Sequence, residues 1–403
     1  MRVLHIQTSM TPAGNAAYRL HLAMRREGVD SSVMTYKPFG KRNFVSSFKS
    51  GYKVLLSKVV TELFMPKVVR KPLTYSYSQM PLLSKGIAHS WQVKEADVIY
   101  LHWVCGGFIG LNDIEELAKT GKPIFFFMHD MWTFTGGCHH SFECKQYESG
   151  CKNCPILAKN IHMADRQSKK KKELFEQFPN LFFISPSEWM ASCARSSSIL
   201  KNKPIYAISN VVDETIFKPV SKEIARVILN LPTDKKIISF GCQAGTNNPF
   251  KGWKFLQEAI NMLEDENLHL VVFGSDYDKT TEEQLKYPVS FMGAILDEHV
   301  LALISAASDV FVSPSLAESF GLTFLENILC DTPVVGFDNT AVPEIVVNEK
   351  TGYLARNKDS EDLSKGIQKC LSAQISPREV IAYSSCKIVK KHLQYIGEAL
   401  KNN

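Results

Sequence analysis

Short apolar runs alternate along the chain with longer stretches in which apolar residues recur every three or four positions. In the first half, the runs at 3–8, 98–102, 124–128 and 181–185 have strand length, while 15–27, 112–119 and 187–197 carry helical faces. Leu20, Ala23 and Met24 make one such face, and Asn112 and Ser187 stand where helix N-caps are wanted. The second half repeats the scheme, with strands at 237–240, 268–273, 289–291, 310–313 and 334–337. Helices follow at 253–263, 298–306, 323–330 and 359–371. A tail at 376–401 sets Val389, Leu393, Ile396 and Leu400 at helical spacing. Such alternation specifies α/β architecture, with parallel sheets covered by helices on both faces. A polar break at 213–221 holding Pro219 predicts two doubly wound, Rossmann-like domains, 1–215 and 220–375, with a closing helix at 376–403 that crosses back to the first. Ligands of such sheets sit beyond the carboxyl ends of the strands, so the expected site is a cleft between the domains.

Composition changes this picture little. The 403 residues suffice for two cores without staples. No run reaches the ~18 apolar residues of a membrane span, and the first fifteen residues lack a signal-peptide layout, so a cytoplasmic protein is expected. Charge adds more. Residues 37–72 hold nine Lys or Arg and one acid, Glu62, whereas the whole chain is only +6. One basic stretch on an otherwise slightly acidic chain argues against a nucleic-acid binder and for a single anionic docking surface. In that stretch Phe44, Phe48, Tyr52, Leu55, Leu56, Val59, Val60 and Leu63 recur at steps of three and four. Lys49, Lys53 and Lys58 lie beside them. The pattern fits a helix lying peripherally on an anionic leaflet, or one packed on the domain's own core.

The densest chemistry lies between Pro314 and Glu344. Glu318 closes a strand-to-helix loop, Gly321 lets the backbone approach a ligand, and Glu326 falls two turns into the helix. The free amides at the helix start suit phosphate or sugar oxygens. The string resembles the donor-binding motif of glycosyltransferase family 4, the "group 1" retaining transferases of the GT-B fold. The resemblance implies that Glu318 lies at the donor sugar and that Glu326 holds the ribose. It sets the amides of Ser319, Phe320, Gly321 and Leu322 against the sugar and diphosphate. Lys251, followed by Gly252, resembles the family's diphosphate-binding lysine, although the Arg that usually precedes it is missing, with Gln243 and Asn248 as the nearby polar residues. His129, after the run 124–128, takes the place of the His that meets the donor sugar, and Gly14 that of the first-domain loop. Asp331 stands where Gly is more usual.

Two further patterns compete with or add to this reading. Asp276 and Asp278 form a short D-x-D that suits a divalent ion, but they follow Gly274, where the family places a loop near the base. Cys138, Cys144, Cys151 and Cys154 resemble a cysteine-bearing insertion in a polysaccharide-assembly, colanic-acid-type subset. Four thiolates suit a structural zinc; a disulfide or plain reduced thiols is the other reading. The resemblance thus implies a retaining, hexosyltransferase-type enzyme of cell-envelope polysaccharide synthesis. It would use a nucleotide-diphosphate sugar, a glycan or lipid-linked acceptor and no cofactor in the chemistry. The alternative is a non-catalytic glycan- or nucleotide-binding protein on a decayed scaffold. A dinucleotide oxidoreductase lacks its G-x-G-x-x-G.

Overall fold

The computed structural model describes the chain apart from residues 11–14, 49–51, 53–55, 57–58, 60–62, 64–76, 79–80, 82–84, 159–160, 243–247, 374 and 402–403. Two compact units divide it. The first holds the N-terminal strand, Asn15–Val211 and Cys386–Asn403; the second holds Val212–Ser385. The division falls just before the polar break.

The first unit is built on seven strands: β1 (Arg2–Ser9), β2 (Asp30–Lys37), β3 (Val45–Ser47), β4 (Val98–Leu101), β5 (Ile124–Phe127), β6 (Leu181–Ser185) and β7 (Ile205–Ala207). They lie in the order β3-β2-β1-β4-β5-β6-β7 with every pairing parallel. β4 and β5 are buried at every position, which is why they read as unbroken apolar runs rather than alternating ones. Asn15 and Ser187 cap the helices Ala16–Arg26 and Glu188–Ser196 through their side chains. Asn112 does not cap its helix. Leu111–Ala118 starts from Gly110, whose N–H donates to Asp113 Oδ2 at 2.9 Å.

The second unit carries β8 (Lys236–Gly241), β9 (Leu268–Phe273), β10 (Val289–Phe291), β11 (Val310–Ser313), β12 (Val334–Phe337) and β13 (Gly352–Ala355). Their order is β10-β9-β8-β11-β12-β13, again all parallel. Alternate residues feed two cores. Phe311 packs with Phe324 and Ile328, while Val310 and Val312 pack with Phe240, Leu256 and Ile367, as the two-residue period of a strand requires.

The tail departs from the expected single helix. Pro377–Val380 is one turn, residues 381–384 are non-helical, and a long helix runs over Ser385–Lys401. The break serves the second unit: Ile381 and Tyr383 pack on its core, and Val212 N–H donates to Tyr383 Oη at 2.6 Å. Glu214 Oε1 accepts from Ser385 N at 3.0 Å, tying the start of the last helix. Beyond Ser385 that helix belongs to the first unit, with Ile388, Val389, His392, Ile396 and Ala399 buried. Leu400 is 41 % exposed, so the buried face is rotated from the one the leucines suggested.

The stripe begun at Phe44 is corrected in the same way. Phe44 occupies a left-handed turn (φ 60°), and β3 follows it along the edge beside β2. Tyr52, Leu56, Val59 and Leu63 are helical, and they face solvent. Leu55, Val60 and the segment's lysines at 49, 53 and 58 lie outside the described residues. No helix among the described residues is long and apolar enough to cross a membrane.

Candidate active site

In the second unit two loops are stitched at the carboxyl ends of β8 and β11. Asn248 Oδ1 accepts from Phe250 N at 3.1 Å and closes the turn that ends at Lys251. Gly252 follows at φ +67°, where a Cβ would stand 2.0 Å from the Pro314 carbonyl oxygen. Only glycine allows that approach. Leu316 N–H donates to Phe250 O at 2.8 Å, locking the second loop to the first. The result is an ion pair, Lys251 Nζ to Glu318 Oε1 at 2.9 Å, between partly buried side chains. Burial works to lower the Lys251 pKa, but the Glu318 charge and hydrogen bond outweigh it and hold the ammonium above its ordinary value. Glu318 is fixed from behind: its N–H donates to Thr340 Oγ1 at 3.0 Å, and its carbonyl accepts from Ala341 N.

Ser319, Phe320 and Gly321 complete the loop, and Gly321 (φ +94°) opens the helix Leu322–Leu329. The helix start has no side-chain cap bond, and an amide array at a helix N-terminus attracts anions. Glu326 lies further along the same helix, 5 % exposed. Its charge and, chiefly, burial push the Cys330 thiol up to about 12. Lys251, Glu318, Ser319–Leu322 and Glu326 therefore share one end of one unit. Asp331, in place of the usual glycine, adopts the left-handed conformation itself (φ 66°) and accepts from Arg378 N at 3.2 Å. Aspartate is among the side chains that tolerate this region.

His129 follows β5 in the first unit. Its Nε2 lies 2.8 Å from His102 Nδ1. Burial brings its pKa down to about 4 despite the neighbouring Asp130, so the ring is neutral, as a hydroxyl-binding imidazole should be. Asp130 turns away: Oδ2 pairs with His139 Nδ1 at 2.5 Å and Oδ1 accepts from Trp132 N at 2.8 Å. Gly14 and Gln243 lie outside the described residues. Asn248 is committed to its turn. Of the D-x-D pair, Asp278 is a helix cap. Asp278 accepts from Thr280 N and from Thr281 Oγ1, and so starts the helix Lys279–Glu283.

Cys138, Cys144, Cys151 and Cys154 are all free thiols and line one cavity of about 20 Å³. Gly136 N–H donates to Cys151 Sγ at 3.2 Å. Among the described residues, however, no three His, Cys, Asp or Glu side chains are grouped to hold a metal ion. Sequence reading passed over Thr340, which backs Glu318. It also passed over His5 and His102, which precede His129 in a hydrogen-bonded row. Their signal was a polar residue inside or at the end of a buried strand.

Residues 221–385 match the family model described as glycosyl transferases group 1. That match covers nearly the whole of the second unit and less than half of the chain. A D-inositol 3-phosphate glycosyltransferase of Mycobacteroides abscessus is 30 % identical over 169 residues, which are 40 % of this chain and 37 % of that protein. The chain thus spans less than two fifths of the length of the inositol-phosphate transferases it matches. A putative colanic acid biosynthesis glycosyl transferase of Escherichia coli K12, WcaC, is 23 % identical over 329 residues, 74 % of this chain and 75 % of its own. Among solved structures, HepE of Anabaena in complex with UDP and glucose superposes with a TM-score of 0.65 at 15 % identity, covering 99 % of this chain and all of the other. With two parallel-sheet units, that likeness gives the chain the GT-B fold, and the group 1 match lies within its second unit.

Proposed function

We propose that the chain is a retaining glycosyltransferase that moves a sugar from a nucleoside-diphosphate donor to a glycan or lipid-linked glycan acceptor in cell-envelope polysaccharide assembly. The observation that carries this reading is the Lys251–Glu318 ion pair, set beside the helix start whose second turn buries Glu326. Glu326 holds the ribose hydroxyls. The amides of Ser319, Phe320, Gly321 and Leu322 take sugar and diphosphate oxygens. Glu318 meets the transferred sugar, and by the same resemblance His129 is assigned a sugar hydroxyl. In the transfer step the bond from the anomeric carbon to the diphosphate oxygen breaks, and a bond to the acceptor oxygen forms on the same face. The acceptor's proton passes to an oxygen of the departing diphosphate. That diphosphate gains negative charge as it leaves, and Lys251 is the cation placed to offset it. The names of WcaC and of the HepE complex, which concern those proteins, agree in pointing to polysaccharide synthesis and to a uridine diphosphate sugar.

Two variants test the assignment. Glu326→Ala weakens binding of free nucleoside diphosphate and of donor alike, because ribose is common to both. Lys251→Ala lowers turnover by on the order of 10²-fold, and lowers donor affinity far less, because the charge it meets grows in the transition state. If Glu326→Ala and wild-type protein bind every nucleoside diphosphate equally well, the donor site lies elsewhere.

A lipid-linked acceptor places the enzyme peripherally on the inner face of the plasma membrane. The solvent-facing Tyr52, Leu56, Val59 and Leu63, within the most basic stretch of the chain, support that placement. For the four thiols a structural zinc is proposed. Convergence on one cavity supports it, and metal uptake would have to draw the side chains closer than they stand.

A further inference from the structure

Three histidines stand on or just past three neighbouring strands of the first unit: His5 in β1, His102 after β4 and His129 after β5. Their rings stack in a row, with centroids 5.2 Å and 5.1 Å apart. His5 Nδ1 lies 2.9 Å from His102 Nε2, and His102 Nδ1 lies 2.8 Å from His129 Nε2. His5 and His102 are 0 % and 6 % exposed, and burial holds all three imidazoles below their ordinary pKa, hence neutral at pH 7.

A neutral imidazole has one N–H and one acceptor nitrogen. His102 therefore donates to one neighbour and accepts from the other, and the row has only two arrangements. If the protons point from His129 toward His5, the His5 proton sits on Nε2, which finds no hydrogen-bond partner among the described residues. That is a buried, unpaired N–H, with the full desolvation cost of a donor. If they point from His5 toward His129, only a lone pair is left at that nitrogen. We propose that His5 and His102 are positioning residues that fix His129 as its Nδ1–H tautomer, with Nε2 engaged as an acceptor. Which nitrogen of a histidine is protonated is set by the hydrogen bond the other one makes, and without His102 the ring is released to its Nε2–H form. The inference rests on the proposed role of His129 at the donor sugar. There the row ensures that the ring presents a neutral N–H donor, so a sugar hydroxyl meeting the Nδ1 edge accepts.

Nitrogen-15 NMR of the whole protein, labelled at the histidine ring nitrogens, reads the tautomers directly. At pH 7.5 the His129 signals are expected as protonated Nδ1 and unprotonated Nε2. His102→Leu moves the proton to Nε2. His102→Gln, whose amide N–H can still donate, keeps it on Nδ1. In the transfer assay His102→Leu loses about 3–10-fold in kcat/KM for the nucleotide sugar, the scale of one hydrogen bond. His102→Gln recovers most of it, and binding of free nucleoside diphosphate is unchanged in both. Wild-type His129 protonated at Nε2 overturns the proposal, as does a His102→Leu protein whose His129 keeps its Nδ1 proton. Should His102→Leu fail to fold, the wild-type spectrum still decides. A tautomer shift with unchanged transfer supports the row and removes His129 from the donor site instead.

Discussion

Lys171 has no access to water, and its ammonium donates to the carbonyls of Trp132 and Thr135 while lying 3.8 Å over the Trp132 ring. Burial lowers its pKa to about 8, against the pull of nearby thiols and Asp130. This lysine, with the Asp130–His139 pair, pins the loop that carries the cysteines. Gly136 and Gly137 admit the close packing: a Cβ on either would stand within 2.6 Å of Ala164 O or of the Tyr77 ring. Burial pushes the Cys138 thiol up to about 12 and Cys151 to about 11, so without metal these groups stay protonated at pH 7. Zinc uptake must then expel protons. If the four thiols form a zinc site, protein purified without added metal contains close to one zinc per chain. Removing the zinc and restoring it in weak buffer then releases protons in proportion. Metal-free protein in which all four thiols titrate freely rules the site out.

At the level of elements, the basic segment shows how far a helical stripe can be read. Phe44 and Phe48 shared the period, yet Phe44 turns into β3, and Phe48 packs on the first core. The hydrogen bonds of an open sheet edge claimed those residues first. The remaining members Tyr52, Leu56, Val59 and Leu63 are 72 %, 44 %, 42 % and 68 % exposed. An apolar helical face left in water within a basic stretch suits an anionic bilayer, where each basic residue adds about 1 kcal/mol at low salt. The protein is expected to sediment with vesicles containing anionic lipid, to release with rising salt, and to lose binding when Leu56 and Leu63 become Ser without change in melting temperature. Indifference to such vesicles at low salt would leave the helix face without a lipid partner. The tail makes the complementary point. Its helical period was plain, but the break at 381–384 was not, because Tyr383 is held there by a hydrogen bond with Val212, far away in sequence.

On the scale of the whole molecule, the histidines are unevenly shared. His5, His21, His102, His129 and His392 lie in the first unit, all with pKa values lowered by burial, to about 4 for His21 and His129 and about 3 for His392. Unfolded, each titrates near 6.5; folded, each stays neutral well below that. Between those values the unfolded chain binds more protons, so stability falls as pH drops, by up to about 1.4 kcal/mol per pH unit for each ring. The second unit holds only His269, buried in β9 with its pKa also lowered by burial, and the exposed His299, so the same effect there is smaller. Hydrogen exchange at pH 5 compared with pH 7.5 is therefore expected to show β1, β4 and β5 losing more protection than β8, β9 and β11; equal loss in both units would refute this account.

The sequence by itself determined the two α/β halves, the buried central strands and the donor-side string from Pro314 to Glu344. Each of these rests on local periodicity, or on glycines and carboxylates close together in the chain. Only the tertiary structure decided that Lys251 pairs with Glu318, since 67 residues separate them and the contact depends on Gly252 meeting Pro314. Folding likewise assembled the histidine row. It joins three strands that are neighbours in the sheet although β2 and β3 come between the first two in the chain, and a side-chain hydrogen bond across strands leaves no period to read.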